Sequence, residues 1–366
     1  MSTRFSFGGF TIALMDALGP ERAVWEWRLL AGGLSLPMTD YWEWSAALGL
    51  RTWFLGVEDP SGLCMGGLAI RVHASRAMPG FKILRVERLG GNIRAEAYPA
   101  VMEALAQAAR WKRGVLRLHV ELFSPDPSTL ARLGTAAGRA GMAPSPVPRC
   151  YGPTTLIDVS RDPAAILAGF NSTARQNIRA VAKHPVEVRP VTDPELAERL
   201  NHLLRDTMLR TGGTFSPRPW DGILRYSGDR PDRSRVVGLF RTDQKGPEAL
   251  IAFAWGCFHG DHVQYSTAAT VRSPDIRMPM AYCLAWDLMQ WAHRCGARYF
   301  DFGGITEGSQ GGTDPLGGIS DFKRYFRGTP ATVGAEWILE PHPANDNPFD
   351  SSVRRSHQRL LDQRSC

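Results

Sequence analysis

Two periods of apolar and polar positions run along this chain, and their order predicts its elements. Trp53-Phe54-Leu55-Gly56-Val57, a polar turn and Gly67-Leu68-Ala69-Ile70 read as paired strands. A helical stripe over about 98–112 closes at Gly114 and gives way to the strand-like VLRLHVEL. The same order then returns. Val236-Val237-Gly238-Leu239-Phe240, a turn and Ala249-Leu250-Ile251-Ala252 precede a helix over about 279–294, which closes at Gly296 before ARYFDF.

The two runs are in register. Gly56 and Gly238, Leu68 and Leu250, and Gly114 and Gly296 are each 182 positions apart. Within the helices, Met102 falls with Leu284, Ala106 with Leu288 and Ala109 with Trp291, as one buried stripe repeated would require. Each unit is predicted to continue with a second helix and a last strand. These are 128–141 then TTLIDV in the first, and 318–327 then ATVGAEWIL in the second. The expected class is α/β (α+β): two tandem units, each a mixed, mostly antiparallel sheet flanked by helices. The expected domains are 1–160 and 161–340. Residues 341–366, opening on the turn-forming PHPANDNPFDSS, are expected to be a flexible tail.

Between the units, Asp162 is placed to cap a helix that has Pro163 in its first position and runs on through Lys183. A second helix lies in PELAERLNHLLRDTMLRTGG and closes at Gly212 and Gly213. Arg175, Arg179 and Lys183 share one face of the first helix, either as a solvated stripe or as an anion-binding one.

With 43% apolar and 22% charged residues in a chain of 366, the composition is that of a folded globular protein. No apolar run approaches the roughly 20 residues that span a bilayer, and the start has no small-residue cleavage site, so the expected location is cytoplasmic. The six cysteines form no CxxC pair and are expected to be reduced. Trp25 and Trp27, and Trp42 and Trp44, alternate as sheet core would. A net charge of +7 suits an anionic partner such as tRNA, a nucleotide-linked precursor or coenzyme A, and equally suits a basic surface with no such role. Of 43 basic residues only five are lysines, which makes Lys323 worth noting.

The chemistry-bearing stretch is FDFGGITEGSQGGTDPLGGISDFKRYFRG. It reads as a strand ending at Asp301, a glycine-rich loop, and a short helix carrying Phe322 and Lys323. Cys257, His259 and His262 flank a hairpin turn at Gly260-Asp261 and are placed by strand alternation, so no metal is expected there. No Ser-His-Asp or Cys-His arrangement emerges from the spacing.

Gly296-Ala297-Arg298-Tyr299-Phe300-Asp301-Phe302-Gly303-Gly304, followed by Gly318-Ile319-Ser320-Asp321-Phe322-Lys323, resembles a motif of the Fem family of peptidoglycan-bridge aminoacyltransferases, with one extra residue before Asp301. That family looks like two tandem GNAT-type acyltransferase domains. The resemblance implies a channel containing Asp301, Gly303, Gly304 and Phe322, with Lys323 binding the tRNA end or stabilising the tetrahedral intermediate. It further implies that Arg210 holds an anionic acceptor, that Phe215 stands where the family has a tyrosine, that Tyr265 is a channel tyrosine, and that the basic stretch Arg175, Arg179 and Lys183 faces tRNA. The implied reaction moves an aminoacyl group from aminoacyl-tRNA to an amine, with no further cofactor. A GNAT-type N-acyltransferase using acyl-CoA and a non-catalytic binding protein are the alternatives. The Arg/Gln-x-x-Gly-x-Gly/Ala pyrophosphate loop of acyl-CoA enzymes has no match from Met1 to Cys366.

Overall fold

The computed structural model describes residues 2–16, 19–75, 78–272, 278–314 and 316–341, so the expected flexible tail lies, but for Pro341, outside them. The chain forms two compact units, Met1–Gly152 with Thr332–Cys366, and Pro153–Ala331.

In the first unit the order is β1 (Ser2–Phe7), β2 (Phe10–Met15), α1 (Pro20–Ala31), α2 (Trp42–Ala47), β3 (Thr52–Glu58), β4 (Cys64–Ala74) and β5 (Lys82–Leu89). It continues with α3 (Tyr98–Trp111), β6 (Val115–Phe123), α4 (Pro127–Arg139) and β7 (Ala143–Pro144). The second unit opens with β8 (Pro153–Asp158), α5 (Pro163–Gly169), α6 (Ser172–Ala180), β9 (Val186–Pro190), α7 (Ala197–Arg210) and α8 (Trp220–Asp229). It continues with β10 (Ser234–Arg241), β11 (Leu250–Phe258), β12 (His262–Thr270), α9 (Met280–Arg294), β13 (Tyr299–Gly304), α10 (Gly317–Arg324) and β14 (Thr329–Thr332); β15 (Gly334–Leu339) closes the described chain.

The predicted repeat is present in the topology. Antiparallel strands lead in each unit to one parallel pair bridged by a helix, β5 with β6 around α3 and β12 with β13 around α9. The crossover needs that helix, because parallel neighbours cannot be joined by a tight turn. Met102, Ala106, Ala109, Leu284, Leu288 and Trp291 are all buried, on the helix stripes that pack their own sheets.

The last strands are a correction. TTLIDV, expected to complete the first sheet, is β8 and pairs antiparallel with β13 of the second unit. ATVGAEWIL, expected in the second sheet, supplies β15, which pairs antiparallel with β6 in the first. The orders are β1-β2-β3-β4-β5-β6-β15-β7 and β14-β8-β13-β12-β11-β10-β9. Each sheet offers one open edge beside its parallel pair, and any strand of suitable pattern can satisfy the exposed amides and carbonyls there. Local pattern does not say which one does.

The helix expected from Asp162 through Lys183 is also interrupted. Asp162 does cap α5 through Ala164 N–H. At Phe170 the chain turns extended, Asn171 Oδ1 caps a new helix through Ala174 N–H, and the buried Phe170 ring packs on Trp286 and Phe326. A second capping residue and a core aromatic together outweigh helical continuity. The tryptophans expected in sheet lie in α1 and α2 instead: Trp25 is buried against Phe54, whereas Trp27 is 69% exposed. Among the described residues no helix is long and apolar enough to cross a membrane.

Candidate functional site

The parallel pair of the second unit opens into a wedge. β12 and β13 pair at His262–Tyr299, Val263–Phe300 and Gln264–Asp301, and no further pairing continues along them. β12 stays with β11 out to Thr270, after a bulge between Trp255 and Gly256, while β13 leans to β8 and meets Thr154 at Gly304. In the first unit the equivalent strands remain paired from Lys82–Val115 to Leu89–Leu122. A bulge and an irregular strand end leave backbone groups of the second unit's parting strands available to a ligand.

Tyr265 stands one residue past the point of parting. Its ring packs on Phe300 at 6.1 Å and Phe302 at 5.7 Å, and burial raises its phenol pKa well above the usual value, so it is neutral at physiological pH. Phe302 continues the apolar line to Phe322, which meets Tyr282 edge-on at 4.9 Å and Phe326 at 5.3 Å.

Asp301 extends the strand rather than ending it, and it is fully buried. Its Oδ1 accepts the Thr154 hydroxyl at 2.5 Å and the Gly303 N–H at 2.9 Å, and the same hydroxyl lies 2.9 Å from the Gly303 carbonyl. These bonds hold Gly303 at φ 71°, the left-handed state that glycine admits, and turn the end of β13 toward α10. Asp301 and Gly303 thus shape the strand end from within.

Lys323, on the last turn of α10, is 7% exposed and donates from Nζ to the Gly304 carbonyl at 2.5 Å. Burial lowers its pKa from 10.5 to about 8, and the Asp301 carboxylate works against that shift. The loop before α10 is tied to it: Thr306 bonds Ser320, Gln310 N–H reaches Asp321, and Arg324 holds the Gly308 and Thr306 carbonyls. Lys323 is therefore an ammonium on a fixed helix facing a fixed strand end.

Arg210, the exposed last residue of α7, lines an open groove of about 260 Å³ with Thr270, Arg272, Met278 and Tyr282. Tyr282 also packs on Phe322, so the structure brings Arg210 and Phe322 to the surroundings of one residue. Phe215 lies in the loop after α7 and is half-buried. The basic stripe does not survive as expected. Arg175 folds back, its Nη1 donating to the Ala168 and Phe170 carbonyls at the end of α5, and Lys183 lies in a separate 3-10 turn. Arg179 and Lys183 are exposed. His259 and His262 flank the antiparallel β11–β12 turn, stack at 5.3 Å and engage Gln264 and Asp261.

Thr154, Arg272 and Tyr282 were not singled out from sequence. Thr154 arrives by the unforeseen pairing of β8. The other two flank the loop before α9, where position beside a parallel strand's end was the available signal.

Residues 168–324 match the family model described as an acetyltransferase (GNAT) domain. Comparison with curated protein sequences found no match. Among solved structures, FemX is similar over 89% of this chain and 96% of its own, with a TM-score of 0.68 at 12% identity. L-PGS from Bacillus licheniformis is similar over 94% of this chain and 98% of its own, with a TM-score of 0.53 at 13% identity. A tandem GNAT protein from the clavulanic acid biosynthesis pathway covers 91% of this chain and all of its own, at 0.50 and 14%. At such identities the likeness is one of fold. Residues 168–324 thus match a GNAT domain, and they lie within a tandem fold similar to those of FemX and of the tandem GNAT protein.

Proposed function

We propose that this protein forms an amide bond by moving an aminoacyl group from aminoacyl-tRNA to an amine acceptor, a peptidoglycan precursor or a peptide-like small molecule. The observation that carries this reading is the wedge between β12 and β13 with the Lys323 ammonium fixed at the β13 end. A linear acyl-bearing arm entering between parting strands can bond their free backbone groups, and its carbonyl then comes to the strand end.

The acceptor's amine lone pair attacks that carbonyl carbon and builds an oxyanion. Lys323, still mainly protonated at neutral pH, stabilises the charge in a site where little water competes. Collapse breaks the ester C–O bond; the ribose hydroxyl leaves with a proton, and the new amide nitrogen has lost one. Phe322 and Tyr265 supply apolar walls, Arg210 holds an anionic group of the acceptor, and Arg179 and Lys183 face the polyanion.

The start of α9 favours the tRNA donor. Pro279 at its N-cap has no N–H, Met280 N–H is turned to the Met278 carbonyl at 3.0 Å, and Tyr282 N–H to the Pro279 carbonyl at 3.3 Å. A coenzyme A pyrophosphate is gripped by free amides at such a helix start, and two of the first three are engaged here. Arg272, in the groove that Arg210 also lines, offers a side-chain cation suited to a phosphodiester. Transfer from acyl-CoA is the second reading, favoured by the acetyltransferase description of the matching model.

The test is transfer of labelled amino acids from a charged tRNA pool, with and without RNase, beside a panel of acyl-CoAs. RNase-sensitive labelling of an amine supports the proposal; labelling from acyl-CoA alone replaces it with the second reading.

A further inference from the structure

The first unit's sheet has α3 and α4 on one face. On the other, α1 covers β2, β3 and β4, packing Trp25 and Leu29 against Phe54. Toward β5, β6 and β15 that second face changes character. Arg71, Arg85 and His119 stand directly opposite one another across β4, β5 and β6, and Glu121 opposes Glu336 across β6 and β15.

Two guanidinium groups in directly opposed positions repel each other unless a counter-charge intervenes. Arg71 has one, since its Nη1 donates to Glu87 at 2.6 Å. Arg149 has one too, its side chain and backbone N–H both donating to Glu336. Arg85 has none: among the described residues no carboxylate lies within ion-pair distance of it, and its buried Nε meets no acceptor. Arg149 repels it further, and burial with that repulsion lowers its pKa to about 10.

Other unmet polar atoms share the face. Arg71 Nη2 and the Nε2 atoms of His73 and His119 are buried without partners. His119 is 5% exposed, and its Nδ1 is held by Glu336 at 3.0 Å, which fixes the direction of its ring. Burial and the surrounding arginines push both imidazoles down to about 4, so they are neutral near pH 7 and add no charge of their own. A half-buried guanidinium with no carboxylate partner and a buried, unmet Nε, beside the unmet Arg71 Nη2, is costly unless something anionic completes the arrangement.

We infer that Arg85, with Arg71, Arg149 and His73, forms an oxyanion-binding site on the first unit's sheet, suited to a carboxylate or a phosphate group; neutral His119, whose Nδ1–H is spent on Glu336, borders it. A planar guanidinium takes either one through paired N–H bonds. The site is built from residues of the first unit alone, and the inference does not depend on which donor the second unit's wedge takes.

The experiment is thermal unfolding of the full chain titrated with inorganic phosphate, with acetate, and with chloride at matched ionic strength. It is run on the wild type, on Arg85→Met, and on Arg139→Gln as a control that removes one exposed charge from the same unit. Phosphate or acetate should raise the wild-type Tm by about 2–4 °C at saturation, identifying which oxyanion is held. Arg85→Met should raise the Tm without added anion, because an uncompensated charge becomes a packed apolar chain, and should abolish the anion-dependent rise. Arg139→Gln should keep that rise. A wild type that responds to neither anion beyond the chloride control overturns the inference, and so does a response that survives in Arg85→Met. If Arg85→Met lowers the Tm without anion, Arg85 is structural and the inference fails on that ground.

Discussion

Lys323 Nζ donates to the Gly304 carbonyl at 2.5 Å, joining the last turn of α10 to the end of the strand beside the wedge. A buried ammonium satisfied by one carbonyl is a poor stabilising device, because desolvation costs more than one such bond returns.

Lys323 should therefore matter to turnover and not to folding. Lys323→Ala is expected to lower kcat about a hundredfold or more, the loss of roughly 2.7–4 kcal/mol seen when an oxyanion donor is removed. Lys323→Met should leave the Tm unchanged or higher. Lys323→Arg should restore part of the rate, since a planar guanidinium cannot occupy the place of a compact ammonium. Parallel loss of Tm and rate would make the residue structural.

The sign of the pH dependence follows from its lowered pKa of about 8. If the charged form acts, the rate should fall as pH rises through about 8, whereas a general base would give the opposite slope. Stability moves the other way. The unfolded chain holds this proton more tightly, so the charged group costs stability below about 8, and that cost fades as pH rises toward 10.5. Rate profiles and denaturant midpoints measured across this window check both signs.

Thr154 should be the structural keystone of the strand end. Thr154→Val removes the hydroxyl that Asp301 accepts and leaves a buried carboxylate short of a donor. A loss of about 1–3 kcal/mol in denaturant unfolding is expected, accompanied by a lower rate as Gly303 and Gly304 shift. Thr154→Ser, which keeps the hydroxyl, should recover most of both. Equal behaviour of the two variants would remove the hydroxyl from the explanation.

The paired glycines should respond unequally. Gly114 and Gly296 both have φ 76°, which costs an alanine roughly 1 kcal/mol or more. A methyl group at Gly296 meets nothing within 4 Å, while at Gly114 it would lie 3.1 Å from the Gly80 carbonyl oxygen. Gly114→Ala should thus destabilise more than Gly296→Ala, as read by urea midpoints. The reverse order would mean that strain elsewhere dominates.

The cationic residues should separate by role. Reversing Arg179, Lys183 and Arg272 together should weaken tRNA binding and flatten its salt dependence by roughly one logarithmic unit of slope per lost contact. Arg175→Gln should lower stability and leave the salt slope intact, because that guanidinium is spent on the Ala168 and Phe170 carbonyls. Filter binding across a salt series distinguishes them.

Much of the fold was legible because its signals are local. The stripe through Met102, Ala106 and Ala109, its repeat through Leu284, Leu288 and Trp291, and the closing glycines Gly114 and Gly296 each depend on a few neighbouring residues. Side-chain period and backbone conformation suffice to read them. The short helix carrying Phe322 and Lys323 was legible for the same reason.

What tertiary structure decided was every choice between partners distant in sequence. TTLIDV and GAEWIL have patterns that suit either open sheet edge, and pairing in three dimensions sent each to the sheet that its sequence neighbourhood did not suggest. Asn171 and Phe170 broke a helix that propensity would have continued, since a core site was waiting for the ring. The capture of Arg175, the parting of β12 from β13, and the burial that brings Lys323 down to about 8 depend likewise on contacts across the fold. Sequence determined which groups this protein has and which local elements carry them. Their accessibility and charge are set by the solvent that packing excludes, a property of the assembled unit rather than of any segment.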